Sequence, residues 1–77
     1  MKTVLLHILR ALVDFPEALE VSEIRGNETL FIELRCAPED VGTLIGKNGK
    51  TISAIRTLLN ALAQRENRQV VVEVIEP

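Results

Sequence analysis

Apolar positions in the first dozen residues recur at helical spacing. Val4, Leu5, Ile8, Leu9 and Leu12 form one stripe, and Thr3, His7, Arg10 and Asp14 line the opposite side. This pattern predicts an amphipathic helix over residues 2–14. Phe15-Pro16 ends it, because a residue before proline avoids the α region. The period then changes to two. Residues 19–25 alternate imperfectly, while residues 29–36 alternate cleanly: Leu30, Ile32, Leu34 and Cys36 on one side, Thr29, Phe31, Glu33 and Arg35 on the other. Gly26-Asn27-Glu28 lies between the two runs as a turn, so they predict a hairpin. Pro38 suits the first position of a short helix, and Glu39 and Asp40 suit the positive end of its dipole. Val41, Leu44 and Ile45 share a face, and Gly46 stops the helix. A longer helix follows from about residue 49 to 65, with a core stripe of Ile52, Ile55, Leu59 and Leu62 and a polar stripe of Ser53, Arg56, Asn60 and Gln64. Residues 66–69 are a polar loop, and the β-branched run 70–75 is a strand.

The order is α-β-β-α-α-β, an α+β arrangement. Its two middle helices form a crossover that lets the second and third strands run parallel. The expectation is a three-stranded mixed sheet with helices on one face. At 77 residues, the chain has room for one small domain spanning residues 1–77. A hydrophobic share of 47% with well-mixed charge fits an ordered fold. No apolar run approaches the roughly 18 residues that cross a membrane. The opening MKTVLLHILRALVDF resembles a signal peptide only superficially. His7, Arg10 and Asp14 interrupt it, and no small-residue cleavage site follows. Cys36 is the single cysteine, which excludes an internal disulfide; without a Cys/His cluster it also excludes a zinc site. It reads as a small buried hydrophobe in a protein of the reducing cytoplasm. No Ser-His-Asp set or carboxylate pair stands out, so an enzyme, a cofactor and a small-molecule substrate are not expected.

The net charge of −2 conceals a division. Residues 1–45 carry four basic and eight acidic groups. Residues 46–68 carry Lys47, Lys50, Arg56, Arg65 and Arg68 against Glu66 alone. Positive charge is thus concentrated where the glycines of IGKNGKT (residues 45–51) lie, within reach of a phosphate backbone. Two phosphate-loop chemistries compete for this stretch. A Walker loop requires G-x-x-x-x-G-K-[ST] after a strand. Gly49-Lys50-Thr51 supplies its tail, but Leu44 stands where its first glycine belongs, and the preceding element reads as a helix. A KH-type clamp requires G-x-x-G between two helices, so that backbone amides approach the sugar-phosphate chain. Gly46-Lys47-Asn48-Gly49 meets that requirement, with a hairpin upstream and a strand downstream.

The stretch APEDVGTLIGKNGKTISAIRTLLNA, residues 37–61, closely resembles the small bacterial KH proteins of the KhpA type, and the likeness runs from ALVDFPE (residues 11–17) to VVVEVIE (residues 70–76). The resemblance implies a type II KH fold. It implies single-stranded RNA binding, with Gly46, Lys47, Asn48 and Gly49 as a clamp for about four nucleotides. Ile45 and Ile52 would floor a groove whose other wall is the last strand. It also implies a role as an RNA chaperone or post-transcriptional regulator, with effects on cell shape and cell-wall synthesis. Partners would be a second copy or a larger KH-domain protein. From the residues themselves, Lys50 and Arg56 are the further candidates for RNA contact, while Arg65 and Arg68 read as surface charge. Phe15 and Phe31 are the only aromatics, and neither lies near the loop in sequence, so base stacking on aromatic rings is not expected. Two or three neutralised phosphates give a log-log salt slope of about −1.5 to −2. A second class of function, an interaction module, rests on Leu58 and Leu62 with Ala54 and Ala61, which widen the apolar arc of the long helix beyond what a small core needs.

Overall fold

A computed structural model describes residues 2–76; Met1 and Pro77, the ends of the expected domain, lie outside the described residues. Helix α1 spans Lys2–Arg10, β1 Glu20–Arg25, β2 Thr29–Arg35, α2 Val41–Ile45, α3 Lys50–Gln64 and β3 Gln69–Ile75. Single 3-10 turns at Pro16–Ala18, Pro38–Asp40 and Lys47–Gly49 punctuate the connections. The expected element order is present, and the architecture is α+β. The sheet runs β1-β2-β3. β1 and β2 are antiparallel, with Val21 opposite Leu34 and Ile24 opposite Phe31. β2 and β3 are parallel, with Leu30 opposite Val70, Ile32 opposite Val72 and Leu34 opposite Val74. The α2–α3 crossover is what permits that parallel pairing.

All helices lie on one face because strand residues alternate in side. Leu30, Ile32, Leu34, Val70 and Val72 are buried, and they pack with Leu5 and Leu9 of α1, Leu44 of α2, and Ile52, Ile55, Leu59 and Ala63 of α3. The other face of the sheet is open. Ile24, Phe31 and Val71 cross it as a row of register partners, 56%, 43% and 39% exposed. Cys36 is buried in the core, as expected. Burial and the nearby Asp40 carboxylate push its thiol pKa up.

Two expectations need correction, on the extent of the first helix and the place of Leu62, and Asp40 has a role the sequence did not announce. The first helix ends at Arg10, four residues before Asp14. Its last turn tightens: Ala11 N–H donates to Ile8 O and Leu12 N–H to Leu9 O, which lets the chain turn and bury Val13. Asp40 stands at the head of α2, where its charge was expected, but it is fully buried and does more than face the helix dipole. Its carboxylate accepts the N–H of Asp14 at Oδ1 and of Phe15 at Oδ2, both at 2.9 Å. One side chain thereby clasps the α1–β1 connection to the head of α2, satisfying two amides that the shortened helix leaves without a helical partner. Leu62, expected in the core stripe, is 41% exposed, and Ala63 takes the buried position. Helical period fixes which residues share an arc, but the angle at which α3 lies on the sheet decides which edge of that arc is covered.

Candidate nucleic-acid interface

The loop between α2 and α3 is built from backbone conformations that few residues tolerate. Gly46 closes α2, donating its N–H to Gly42 O at 2.8 Å, and adopts φ 79°, ψ 167°. Asn48 has φ 58°, ψ 27° and Gly49 φ 73°, ψ 15°, two successive left-handed residues. Asparagine is among the few non-glycine residues that enter this region readily. Gly49 N–H donates back to Gly46 O at 3.1 Å, so the four residues form a closed turn. The two glycines serve different ends. A Cβ at Gly46 would lie 2.7 Å from both the Cβ and the backbone N of Thr51 and would also strike Thr51 Oγ1, so this glycine is required by packing as well as by φ. A Cβ at Gly49 would meet nothing within 4 Å. Its bare backbone faces open space at the N-terminus of α3, the positive end of a 15-residue helix dipole.

Lys47, Asn48 and Lys50 are exposed on this turn. Among the described residues, the ion pairs are Arg25–Glu23 and Arg35–Glu33, both on the hairpin, so neither loop lysine is neutralised by a neighbour. Ile45 is partly buried against the core, and Ile52 is only 6% exposed. Ile45 therefore offers a groove more apolar surface than Ile52 does. Phe31 lies on the open sheet face, away from the helices, and the Phe15 backbone is tied to Asp40 at the head of α2.

The remaining expected residue, Arg56, reaches across to β3. Its Nε and Nη2 both donate to Val72 O, at 3.2 and 3.0 Å. Asn60, one turn further along α3, accepts the Val70 N–H at Oδ1 at 3.1 Å and donates from Nδ2 to Arg56 O at 2.9 Å. These bonds reveal which way β3 presents its backbone. In a parallel pair, successive residues point their N–H and C=O to opposite sides. Gln69 N–H donates toward β2, to Glu28 O at 2.8 Å. Val70, Val72 and Val74 therefore point the other way, to the free edge of the sheet. The two helix-to-strand contacts also fix direction: Asn60 meets Val70, and the earlier Arg56 meets the later Val72. Continuing that progression places Val74 level with the first turn of α3, so the free edge of β3 runs along the polar side of α3. Asn60 was legible only as a member of the polar stripe. The last strand was expected as the groove's other wall, but which of its backbone groups face the free edge leaves no residue-type signal.

A second surface lies on the other side of α3. Val4, Ile8 and Leu12 of the α1 region face Ala54, Ile55, Leu58 and Leu59 across an apolar groove of about 410 Å³, with Lys50 and Thr51 at one end. Val4, Leu58 and Leu62 are 51%, 48% and 41% exposed.

Comparison with known proteins agrees with this geometry. The family model of the KhpA/KhpB KH domain matches residues 2–74. A protein of Caldanaerobacter subterraneus subsp. tengcongensis named RNA-binding protein KhpA is 53% identical over 68 residues, covering 88% of this chain and 91% of the relative. A protein of the same name from Clostridium acetobutylicum is 48% identical, covering 97% of this chain and all of the relative. One from Chlamydia caviae is 46% identical, covering 99% and 97%. No solved structure matches the chain at a comparable level. The helix-loop-helix with its paired glycines, set against a parallel edge strand, and the match over nearly the full length agree: the chain belongs to the KhpA/KhpB KH-domain family.

Proposed function

We propose that this protein binds single-stranded RNA, holding about four nucleotides between the glycine loop and the free edge of β3. The observation that carries the reading is Gly49. Its backbone faces open space, between two exposed lysines and at the head of α3. A phosphate can approach that backbone closely, with the helix dipole and two unpaired ammonium groups in its favour. The names of the relatives support RNA as the ligand. Gly46, Lys47, Asn48 and Gly49 make the clamp, and Lys50 adds charge beside it. Ile45 and the small exposed part of Ile52 give the floor, and Arg56 holds the wall. The role is that of a cytoplasmic RNA chaperone or post-transcriptional regulator without catalytic activity.

The test is fluorescence anisotropy of short labelled single-stranded RNA with the wild type and with Lys47→Asp/Asn48→Asp. The double substitution places two carboxylates in the clamp and keeps both glycines. Binding by the wild type and loss of at least tenfold in the variant, with unchanged circular dichroism, is the expected result. Equal binding by both proteins would remove the loop from the interface. The same titration at several salt concentrations is expected to give a log-log slope of about −1.5 to −2.

The apolar groove between α1 and α3 favours a pairing role beside RNA binding. We infer that Leu58 and Leu62 meet a second KH domain there, in another copy of this chain or in a larger KH-domain protein. Exposed leucines flanking a groove of this size resemble the centre of an interface more than ordinary surface.

A further inference from the structure

The open face of the sheet carries chemistry that neither the glycine loop nor the helix groove uses. Strand register sorts it into rows. Ile24, Phe31 and Val71 make one row, and Ser22, Glu33 and Glu73 make the next. The first row is apolar, and each of its side chains is exposed. A shallow recess of about 220 Å³ is lined by Ile24, Phe31, Ile32, Glu33, Val71 and Glu73. Its lining therefore joins an apolar surface to two carboxylates. Glu33 and Glu73 are direct partners in the parallel register, and like charges side by side on a sheet repel. Arg35 reaches Glu33 at 3.4 Å, and both side chains remain partly exposed. Among the described residues, Glu73 has no ion partner. A cation placed between the two carboxylates is attracted by both and relieves their repulsion.

Charge decides the class of occupant. RNA and a membrane surface both present phosphates, which two carboxylates repel. A second copy meeting this face by two-fold symmetry brings the same two carboxylates, and the one cation that register puts on the face, Arg35, already lies on Glu33. A lysine or arginine side chain fits, because its aliphatic stem covers apolar surface while its head stays at a carboxylate. Spacing narrows the choice further. Residues on one side of an extended segment lie about 6.6 Å apart, and so do successive rows of the sheet. An apolar residue followed two positions later by arginine or lysine matches both rows at once. Three strands of at most seven residues offer about 10 Å by 23 Å, which is room for a segment rather than a folded domain.

We propose that the open sheet face is a docking surface for a short extended segment of another protein, with an apolar residue seated on Ile24, Phe31 and Val71 and an arginine or lysine two positions on held by Glu33 and Glu73. The face lies opposite the helices, so the segment leaves the glycine loop free.

The experiment titrates the full chain with three blocked peptides, SLSRSLSRS, SLSESLSES and SGSRSGSRS, and follows the backbone amides by NMR. The first peptide is expected to give saturable shifts at Ile24, Phe31, Glu33, Val71 and Glu73. Its glutamate and leucine-free twins are expected to bind at least about tenfold more weakly. Glu33→Gln/Glu73→Gln keeps the shape of the face and weakens the first peptide about tenfold. Phe31→Ser weakens it as much. Thermal denaturation checks the fold of both variants, and both bind short single-stranded RNA as the wild type does. Equal affinity for the arginine and glutamate peptides, unchanged affinity in the carboxylate variant, or no shift at millimolar peptide overturns the proposal. Shifts on the sheet face caused by rU8 would assign the face to RNA, and self-association that Phe31→Ser abolishes would assign it to a second copy. Either result overturns the proposal as well.

Discussion

The two long sides of α3 invert the usual expectation. Its polar side is tied down: Arg56 and Asn60 bond β3, and Asn60 also bonds back to Arg56 O. Its apolar side, at Ala54 and Leu58 with Leu62 beyond, is left exposed next to Val4, Ile8 and Leu12. Polar side chains serve here as structural fasteners because an edge strand carries unpaired amide groups that must find partners or water. Fastening two of them also blunts the edge against pairing with another strand. The exposed leucines are under no comparable obligation to the monomer. Outside the buried stripe of Ile52, Ile55, Leu59 and Ala63, residue polarity therefore misleads about which side of this helix is fixed.

Substitutions can separate the two sides by their effect on stability. The largest effect is expected at the head of the helix. Gly46→Ala forces a side chain into Thr51 at a positive φ, and a loss of about 3 kcal/mol in denaturant unfolding follows from strain plus overpacking. Gly49→Ala, which meets open space, pays the φ penalty alone, about 1 kcal/mol. On the polar side, Asn60→Ala leaves the Val70 N–H without its acceptor, and a loss of about 1 kcal/mol is expected. On the apolar side, Leu58→Ser is expected to change monomer stability by no more than about 0.5 kcal/mol. Analytical ultracentrifugation of the same variant should show a shift toward monomer if the wild type self-associates through this groove. A loss above 2 kcal/mol in Leu58→Ser would mean that the leucine belongs to the core and that the two sides of α3 do not differ as argued.

The smallest effect concerns pH. Burial, aided by the Asp40 carboxylate, holds the Cys36 thiol above its ordinary pKa, so the folded state favours the neutral form. Its contribution to stability is complete below the unfolded-state pKa and is lost as pH rises through the folded-state value. Stability of the wild type should therefore fall at alkaline pH slightly more than that of Cys36→Ala, once each is referred to its own value at neutral pH. Parallel pH profiles of the two proteins would show that ionisation of Cys36 plays no part.

Period and punctuation made the elements legible. The clean alternation of residues 29–36 and the three/four spacing of residues 52–59 each correspond to an element that buries the expected side. The turn within IGKNGKT was legible because glycine and asparagine are the residues that tolerate its left-handed backbone. The extent of α1 was not legible, because its end is set by Asp40, more than twenty residues away in sequence, drawing in the amides of Asp14 and Phe15. The fastening role of Arg56 was not legible either, since a lone arginine on a polar stripe looks the same whether it faces water or a strand edge.

The sequence by itself determined the element order, the parallel return of the last strand and the conformation of the glycine loop, because each depends on local backbone preference or on a period that neighbouring residues carry. Tertiary structure alone decided that Asp40 is buried, that Leu62 is exposed, and that Arg56 caps Val72 O. Those outcomes depend on the angle at which α3 lies on the sheet and on which edge of β3 is left open, and both are set by packing between residues distant in the chain.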